Sequence, residues 1–228
     1  MGLCSIFLGA GLLEAGPAVG PLSVHPTNPR YFTDGTGKAV YLTGSHVWNN
    51  FQDWGYTDPP PQLSYTDYLN NLKQHNHNFI RGWAWEQAKN FPGFSDFYIT
   101  PHPFQRSGPG NALDGKPKFD LDSFDQAYFD RIRSRVMEAG NNGIYISVML
   151  FEGFSVELKG KTVGNPWIGH PFNVNNNING INGDTDGDGQ GKEVHTGSVP
   201  AIVSIQQAYI RKLVDTLNDL DNVLYEIS

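Results

Sequence analysis

The segment Asn222–Ser228, NVLYEIS, decides how the rest of the chain is read. Val223, Leu224 and Ile227 are strand formers, and Asp221 with Asn222 separates them from a helical pattern upstream, so the run reads as a buried parallel strand. In alternating α/β proteins, strands of this kind deliver functional groups at their C-terminal ends. The residues just beyond this strand therefore matter more than those within it.

Working upstream, Pro200 starts a helix with Ile202, Ile205, Tyr209, Leu213 and Leu217 on one face. Before it lies a connection of about 45 residues, far beyond the usual length and so expected to be functional or disordered. The run GIYISVML, Gly143–Leu150, is a strand, preceded by a helix that opens at Asp122-x-x-Asp125, repeats Phe124, Tyr128, Ile132 and Val136, and stops at Gly140. NFIRGW, Asn78–Trp83, reads as another strand, followed by an aromatic, Pro-rich loop to about Leu121. Ser64-x-x-Asp67 signals a helix start ahead of Tyr65, Tyr68, Leu69 and Leu72. Ala39–Thr43 is expected to be the first strand, entered through a hairpin that turns at Asp34-Gly35-Thr36-Gly37.

This order, a hairpin and then strand, helix, strand, helix, strand, helix, strand, requires parallel strands joined by right-handed crossovers. An open doubly wound sheet has the same order. Its first turn would carry a Gly-rich phosphate fingerprint, and Gly44-Ser45-His46-Val47-Trp48-Asn49 has none. Long loops after strands and short ones after helices favour a barrel with its site at one rim. The expected fold is α/β: the N-terminal half of a TIM (β/α)8 barrel, with four parallel strands and three helices behind a β-hairpin. Residues 1–21 are expected to be a disordered start or a signal remnant, and 22–228 the folded domain.

The segments RYFTDGTGKAVYLTGSHVWNN, NFIRGWAWEQ and VLYEIS, taken in order, resemble retaining glycoside hydrolases of the cellulase-like clan. In that clan Tyr-Glu-x-x is followed at once by Asn-Glu, whose Glu is the acid/base, and a second Glu on a later strand is the nucleophile. The resemblance therefore implies glycosidic-bond hydrolysis, with both catalytic carboxylates outside these 228 residues and the chain inactive by itself. It matches Glu226 to a structural residue of the strand. It matches Arg81 to an arginine that supports the nucleophile, while the residue-level alternative is a structural ion pair, with Glu226 as partner.

All five tryptophans, Trp48, Trp54, Trp83, Trp85 and Trp167, fall at expected strand ends or in the loops after strands. Flat indoles pack against the C–H faces of sugar rings, although large loops also need aromatic anchors of their own. His46 and Asn49, just after the first strand, could donate to sugar hydroxyls; His102 and His170 sit in loops, where a histidine is more often simply exposed. Glu86 and Glu152 are the rim carboxylates available for substrate binding or acid/base work, and the resemblance gives neither a catalytic role. The expected substrate-binding set is His46, Trp48, Asn49, Arg81, Trp83, Trp85, Glu86 and Glu152. Asp184-x-Asp186-x-Asp188-Gly189 opens like a calcium loop, but position twelve is His195 and no helix precedes it, so any ion here would be structural calcium outside an EF-hand. No cofactor is required.

A hydrophobic content of 39%, with 26 Gly and 15 Pro, describes a globular, turn-rich protein. A formal net charge of -7 argues against nucleic acid and anionic membranes as partners and for a neutral carbohydrate. The single Cys4 has no internal disulfide partner. The apolar opening MGLCSIFLGAGLLEAG has no Lys or Arg before Arg30; read as a signal remnant it makes the protein secreted or periplasmic. Gly-x-Ser-x-Gly, His-Glu-x-x-His and Cys-x-x-Cys are all missing. A full-length protein is expected to be monomeric, whereas a half-barrel would expose strand edges and self-associate. Two other readings fit the same residues: a non-catalytic carbohydrate-binding module, and a calcium-stabilised structural domain.

Overall fold

In the computed structural model, which describes residues 17–90, 96–159 and 164–227, the segment NVLYEIS contributes an edge strand to a parallel sheet. The expectations for residues 1–16, including Cys4 and the signal-like opening, lie outside the described residues. In chain order the elements are β1 (Ser23–Val24), β2 (Phe32–Thr33), β3 (Asp53–Gly55), α1 (Tyr65–Gln74), β4 (Phe79–Gly82), β5 (Tyr98–Thr100) and β6 (Phe104–Asn111). There follow β7 (Pro117–Phe124), α2 (Gln126–Asn141), β8 (Tyr145–Met149), α3 (Pro200–Leu217) and β9 (Val223–Glu226).

The parallel sheet has the order β4-β8-β9, with Phe79 opposite Tyr145 and Met149 opposite Glu226. Side chains alternate between its faces. Ile80, Ile146 and Val148 enter one core with Leu69 and Leu72 of α1, Phe129, Ile132 and Val136 of α2, and Tyr209, Leu213 and Leu217 of α3. Each such side chain contributes about 1.5–3 kcal/mol on burial, which is why the helices lie close to where the sequence periodicity puts them. The exception is that Asp122 and Phe124, expected in the second helix, end β7, and α2 starts only at Gln126. Asp125 caps α2 by accepting from the Ala127 amide at 3.0 Å, and Pro200 opens α3. The Ser64 hydroxyl donates to Asp67 Oδ2 at 2.5 Å and caps no amide.

The half-barrel expectation is wrong. The described residues form one three-stranded parallel sheet and three separate two-stranded antiparallel sheets, with no barrel arrangement. The expected first strand, Ala39–Thr43, makes only isolated bridges, Val40 to Phe32 and, just beyond it, Gly44 to Phe79. Besides backbone bonds from Val40 N to Phe32 O and from the Asn78 and Phe79 amides to Thr43 O, one side chain takes up further groups: Asn78 Oδ1 accepts from the Thr43 amide at 2.9 Å and Asn78 Nδ2 donates to the Tyr41 carbonyl at 3.1 Å. Gly44 is needed there, because a Cβ would stand 1.7 Å from the Phe79 oxygen. The hairpin expected to turn at Asp34–Gly37 is reduced to the single Phe32–Val40 bridge, and the ladder that does form, β1 with β2, turns earlier, between Val24 and Phe32.

The long connections carry structure of their own. The segment between β4 and α2 folds into β5, which pairs with β3, and the β6–β7 hairpin. The excursion between β8 and α3 buries Val156, Trp167, Phe172 and Val194 against Phe104, Phe119 and Leu121 of that hairpin, forming a second core. Its Asn-rich run is scaffolding. Asn177 Nδ2 donates to the carbonyls of Pro171, Asn173 and Ile181, and Asn176 and Asn179 accept from the amides of Leu113 and Leu121. Side-chain amides here satisfy backbone groups that no ladder reaches.

Candidate functional site

Leaving β4 at Gly82, the chain runs through Trp83, Ala84, Trp85 and Glu86; leaving β8 at Met149, it runs through Leu150, Phe151 and Glu152. Two fully buried amides fix the first of these paths. Asn50 Oδ1 accepts from the Trp83 amide at 2.8 Å while its Nδ2 donates to the Arg81 carbonyl at 2.6 Å. Gln52 Oε1 accepts from the Trp85 amide at 2.7 Å while its Nε2 donates to Trp85 O at 3.1 Å and Pro101 O at 2.9 Å. Asn50 and Gln52 stand in for a neighbouring strand, a role the sequence reading missed. Their spacing of two in NNFQDW, polar among aromatics, was the available signal.

The result is an aromatic rim. Trp48 is 53% exposed and meets Trp54 edge-on at 5.9 Å and 74°, and its carbonyl accepts from Trp85 Nε1 at 2.6 Å. Trp54 in turn packs on Tyr56 at 5.2 Å and on Phe97 at 5.3 Å, and Trp85 on Phe154 at 5.5 Å. Exposed His46 stacks on Trp83 at 5.9 Å and 6°. Trp48, Asn49, Trp54, Tyr56, Thr57 and Pro61 line an open groove of about 450 Å³, and none of its lining residues among the described ones is acidic or basic.

The expected residues thus divide. His46, Trp48, Asn49, Trp83 and Trp85 come together at the rim, with Trp85 buried behind Trp48. Trp167 is only 2% exposed and belongs to the second core. His102, read as a loop residue and so more often exposed, is buried: Nε2 bonds the Ile99 carbonyl at 2.9 Å, and burial, aided by the Arg106 charge, pushes its pKa down to about 3. Arg81 Nε donates to Glu226 Oε2 at 2.8 Å, a second guanidinium contact reaches the same carboxylate, and Ser147 Oγ donates to it at 3.1 Å. The Arg81 hydrogen bond, joined by its charge and by Ser147 against the cost of burial, holds Glu226 below the usual range. Arg81 and Glu226 are therefore partners, as the ion-pair alternative expects.

Glu86, half-buried, and Glu152, fully buried, both sit among protein donors. Glu86 Oε2 meets His170 Nε2 at 2.9 Å; Oε1 accepts from the Glu152 amide at 2.9 Å and meets His195 Nε2 at 3.1 Å. Burial alone would raise Glu86, but hydrogen bonds from His170 and His195 and their charge outweigh it and leave its pKa lowered. For Glu152, burial and the charge of Glu86 prevail over hydrogen bonds from Ser155 and Phe154, and its pKa is raised. Beside them a cavity of about 40 Å³, lined in part by Glu86, Tyr128, His170 and Tyr209, has room for a water or two and not for a sugar ring. His195 lies 109 positions from Glu86, and no local pattern could have paired them.

Asp184, Asp186 and Asp188 keep one carboxylate oxygen each within 4.8 Å of the others, the one such cluster among the described residues. Asp184 accepts from the amides of Gly187 and Gly189, and Asp186 from that of Asp188, so hydrogen bonds already close this turn. His195, at the twelfth position, turns away to Glu86.

A family model described as a domain of unknown function, DUF6298, matches residues 75–228. No curated protein matches the chain. Among solved structures, a crystal structure described as a "putative glycoside hydrolase" from Bacteroides vulgatus ATCC 8482 is similar in fold over 96% of this chain, at 14% identity and a TM-score of 0.52. The present chain spans only 32% of that one.

Proposed function

The chain belongs to the family described as a domain of unknown function, DUF6298, and on that footing we propose that it is the glycan-binding part of a glycoside hydrolase-like protein. One observation carries the reading: exposed Trp48 forms, with Trp54 and Tyr56, an open groove at the end of the parallel strands whose described lining residues are neither acidic nor basic. Rings set at steep angles offer a sugar one face to stack on and one edge to lean against, and Asn49 and Thr57 offer hydrogen bonds to its hydroxyls. A groove without ionic partners suits a neutral oligosaccharide. The fold likeness to the Bacteroides vulgatus protein supports the broader class.

Within this chain the rim binds and does not cleave. A retaining or inverting pair needs two carboxylates free to face the sugar, and Glu86 and Glu152 are both occupied by protein donors. The finer reading, membership of the cellulase-like retaining clan, rests on the three short segments RYFTDGTGKAVYLTGSHVWNN, NFIRGWAWEQ and VLYEIS.

Titrating neutral and anionic oligosaccharides while following tryptophan emission tests the proposal. Neutral glycans should give a saturable change, and W48A should weaken binding by about fivefold or more, as loss of a stacking surface worth on the order of 1 kcal/mol requires. Preference for anionic glycans, or unchanged affinity in W48A, would sink it.

A further inference from the structure

We propose that Glu86 is a pH-dependent clasp: its single carboxylate fastens both ends of the excursion between β8 and α3 to the end of β4, and the clasp loosens when a second negative charge appears beside it. The inference rests on hydrogen-bond geometry and stands apart from the glycan reading. Glu152 opens the excursion, His170 lies in its middle and His195 closes it. All three converge on Glu86: the Glu152 amide at 2.9 Å, His170 at 2.9 Å, and His195 at 3.1 and 3.3 Å. Excursion and strand end are also joined by apolar packing of Ala88 and Trp85, by the backbone bond Ala88 N to Gly169 O at 2.9 Å, and by Ser155 Oγ, which bonds the Gln87 amide and side chain.

Hydrogen-bond partners and burial set the charge state. His170 Nδ1 accepts from the Phe172 amide at 3.0 Å, so a neutral ring carries its hydrogen on Nε2 and donates it to Glu86. Ser155 Oγ touches both the Glu152 carboxyl and Gln87 Oε1, and it accepts from the Gln87 amide at 3.2 Å. A hydroxyl has one hydrogen and cannot donate to both oxygens. If Glu152 is protonated, it can donate to Ser155 and Ser155 to Gln87 Oε1. An ionised Glu152 keeps the Ser155 amide on Oε1 and the Phe154 amide on Oε2, but it is a deeply buried charge beside the Glu86 carboxylate. The titratable groups around Glu86 are Glu152, His170 and His195 from the excursion, Tyr128 from α2 and Tyr209 from α3, with neutral Gln206 lining the same cavity.

In mild acid the cluster therefore holds one anion, Glu86, and one cation, His195, with Glu152 and His170 neutral. Burial and Glu86 raise Glu152, and hydrogen bonding to Glu86 raises His195 despite burial. Both bind their protons more tightly in the clasp than in a free chain, so the stability they lend is present in mild acid and is lost as pH rises through their folded values. Glu86 runs the other way, and its contribution disappears only as pH falls through its lowered folded value. On the alkaline side the half-buried Glu86 and the buried Glu152 are neighbouring carboxylates without a cation. Because Phe154 packs on Trp85, opening there would also release one wall of the aromatic rim.

Hydrogen exchange on the whole chain at about pH 5.5 and 8.5, corrected for intrinsic rates, tests this. Protection across 165–199 should fall roughly tenfold at the higher pH while Ile80 and Ile146 in the sheet stay protected. E152Q, which cannot ionise, should flatten the pH response. Equal protection at both pH values, loss in the sheet in parallel with the excursion, or an E152Q response like that of the parent chain would each overturn the clasp. E86Q should leave the excursion weakly protected at both pH values, and an E86Q excursion as protected as the parent's would overturn it too.

Discussion

Arg81 and Glu226 offer the sharpest quantitative test of how the sheet is held, because the sequence left two readings for Arg81 and the structure pairs it. The perturbation is a double-mutant cycle of R81M, E226Q and the double variant, with Met keeping the stem of the arginine and Gln the shape of the glutamate. Two unit charges near contact attract by about 4 kcal/mol at the effective dielectric of a protein surface. The side chains are 35% and 26% exposed, so solvent screening and side-chain ordering reduce the coupling to about 1–2 kcal/mol. Urea denaturation at neutral pH should return that coupling, and each single variant should lower Tm by roughly 2–8 °C for a chain of this size. Since Arg81 holds Glu226 below its usual range, the contribution is present above the unfolded value and shrinks as pH falls through the folded one. Additive single variants, with coupling under about 0.3 kcal/mol, would refute the pairing and return Arg81 to the substrate reading.

Two further substitutions probe the supports of the rim and of the second core. Q52A removes the acceptor for the Trp85 amide and the donor to two carbonyls, all deeply placed, and should cost about 2–4 kcal/mol by chemical denaturation while weakening glycan binding; a loss below about 1 kcal/mol would show that water takes over these bonds. G191A would put a Cβ 2.2 Å from the Trp167 ring, which is fully enclosed, and should destabilise by about 1–3 kcal/mol in the same assay; a neutral result would mean that the excursion shifts freely.

The helices and the three parallel strands were legible because their burial follows a period: every fourth residue from Tyr128 to Val136, and an apolar run at Tyr145–Met149. The barrel was not, since counting strands assumes that each run with strand composition finds a ladder. Ala39–Thr43 divides its hydrogen bonds between Asn78 and single backbone groups of Phe32 and Phe79 instead. The β6–β7 hairpin was hidden by Gly108, Pro109 and Gly110 within β6, which read as a turn, and its register is irregular there. At the site, indoles after strands were visible as a composition signal, and Trp48 and Trp54 do form the groove. Trp167 carries the same signal but fills a core, because composition alone does not say which face of a long excursion turns inward. The meeting of Glu86 with His170 and His195 depends wholly on tertiary folding, at separations of 84 and 109 positions.

The central claim, that Trp48 and its neighbours hold a neutral glycan, is read most directly from the five indole N–H resonances during titration with a neutral oligosaccharide. The signals of Trp48 and Trp54 should move together and saturate, while that of Trp167, enclosed in the second core, stays in place. Shifts confined to Trp167, or none at saturating glycan, would contradict the account.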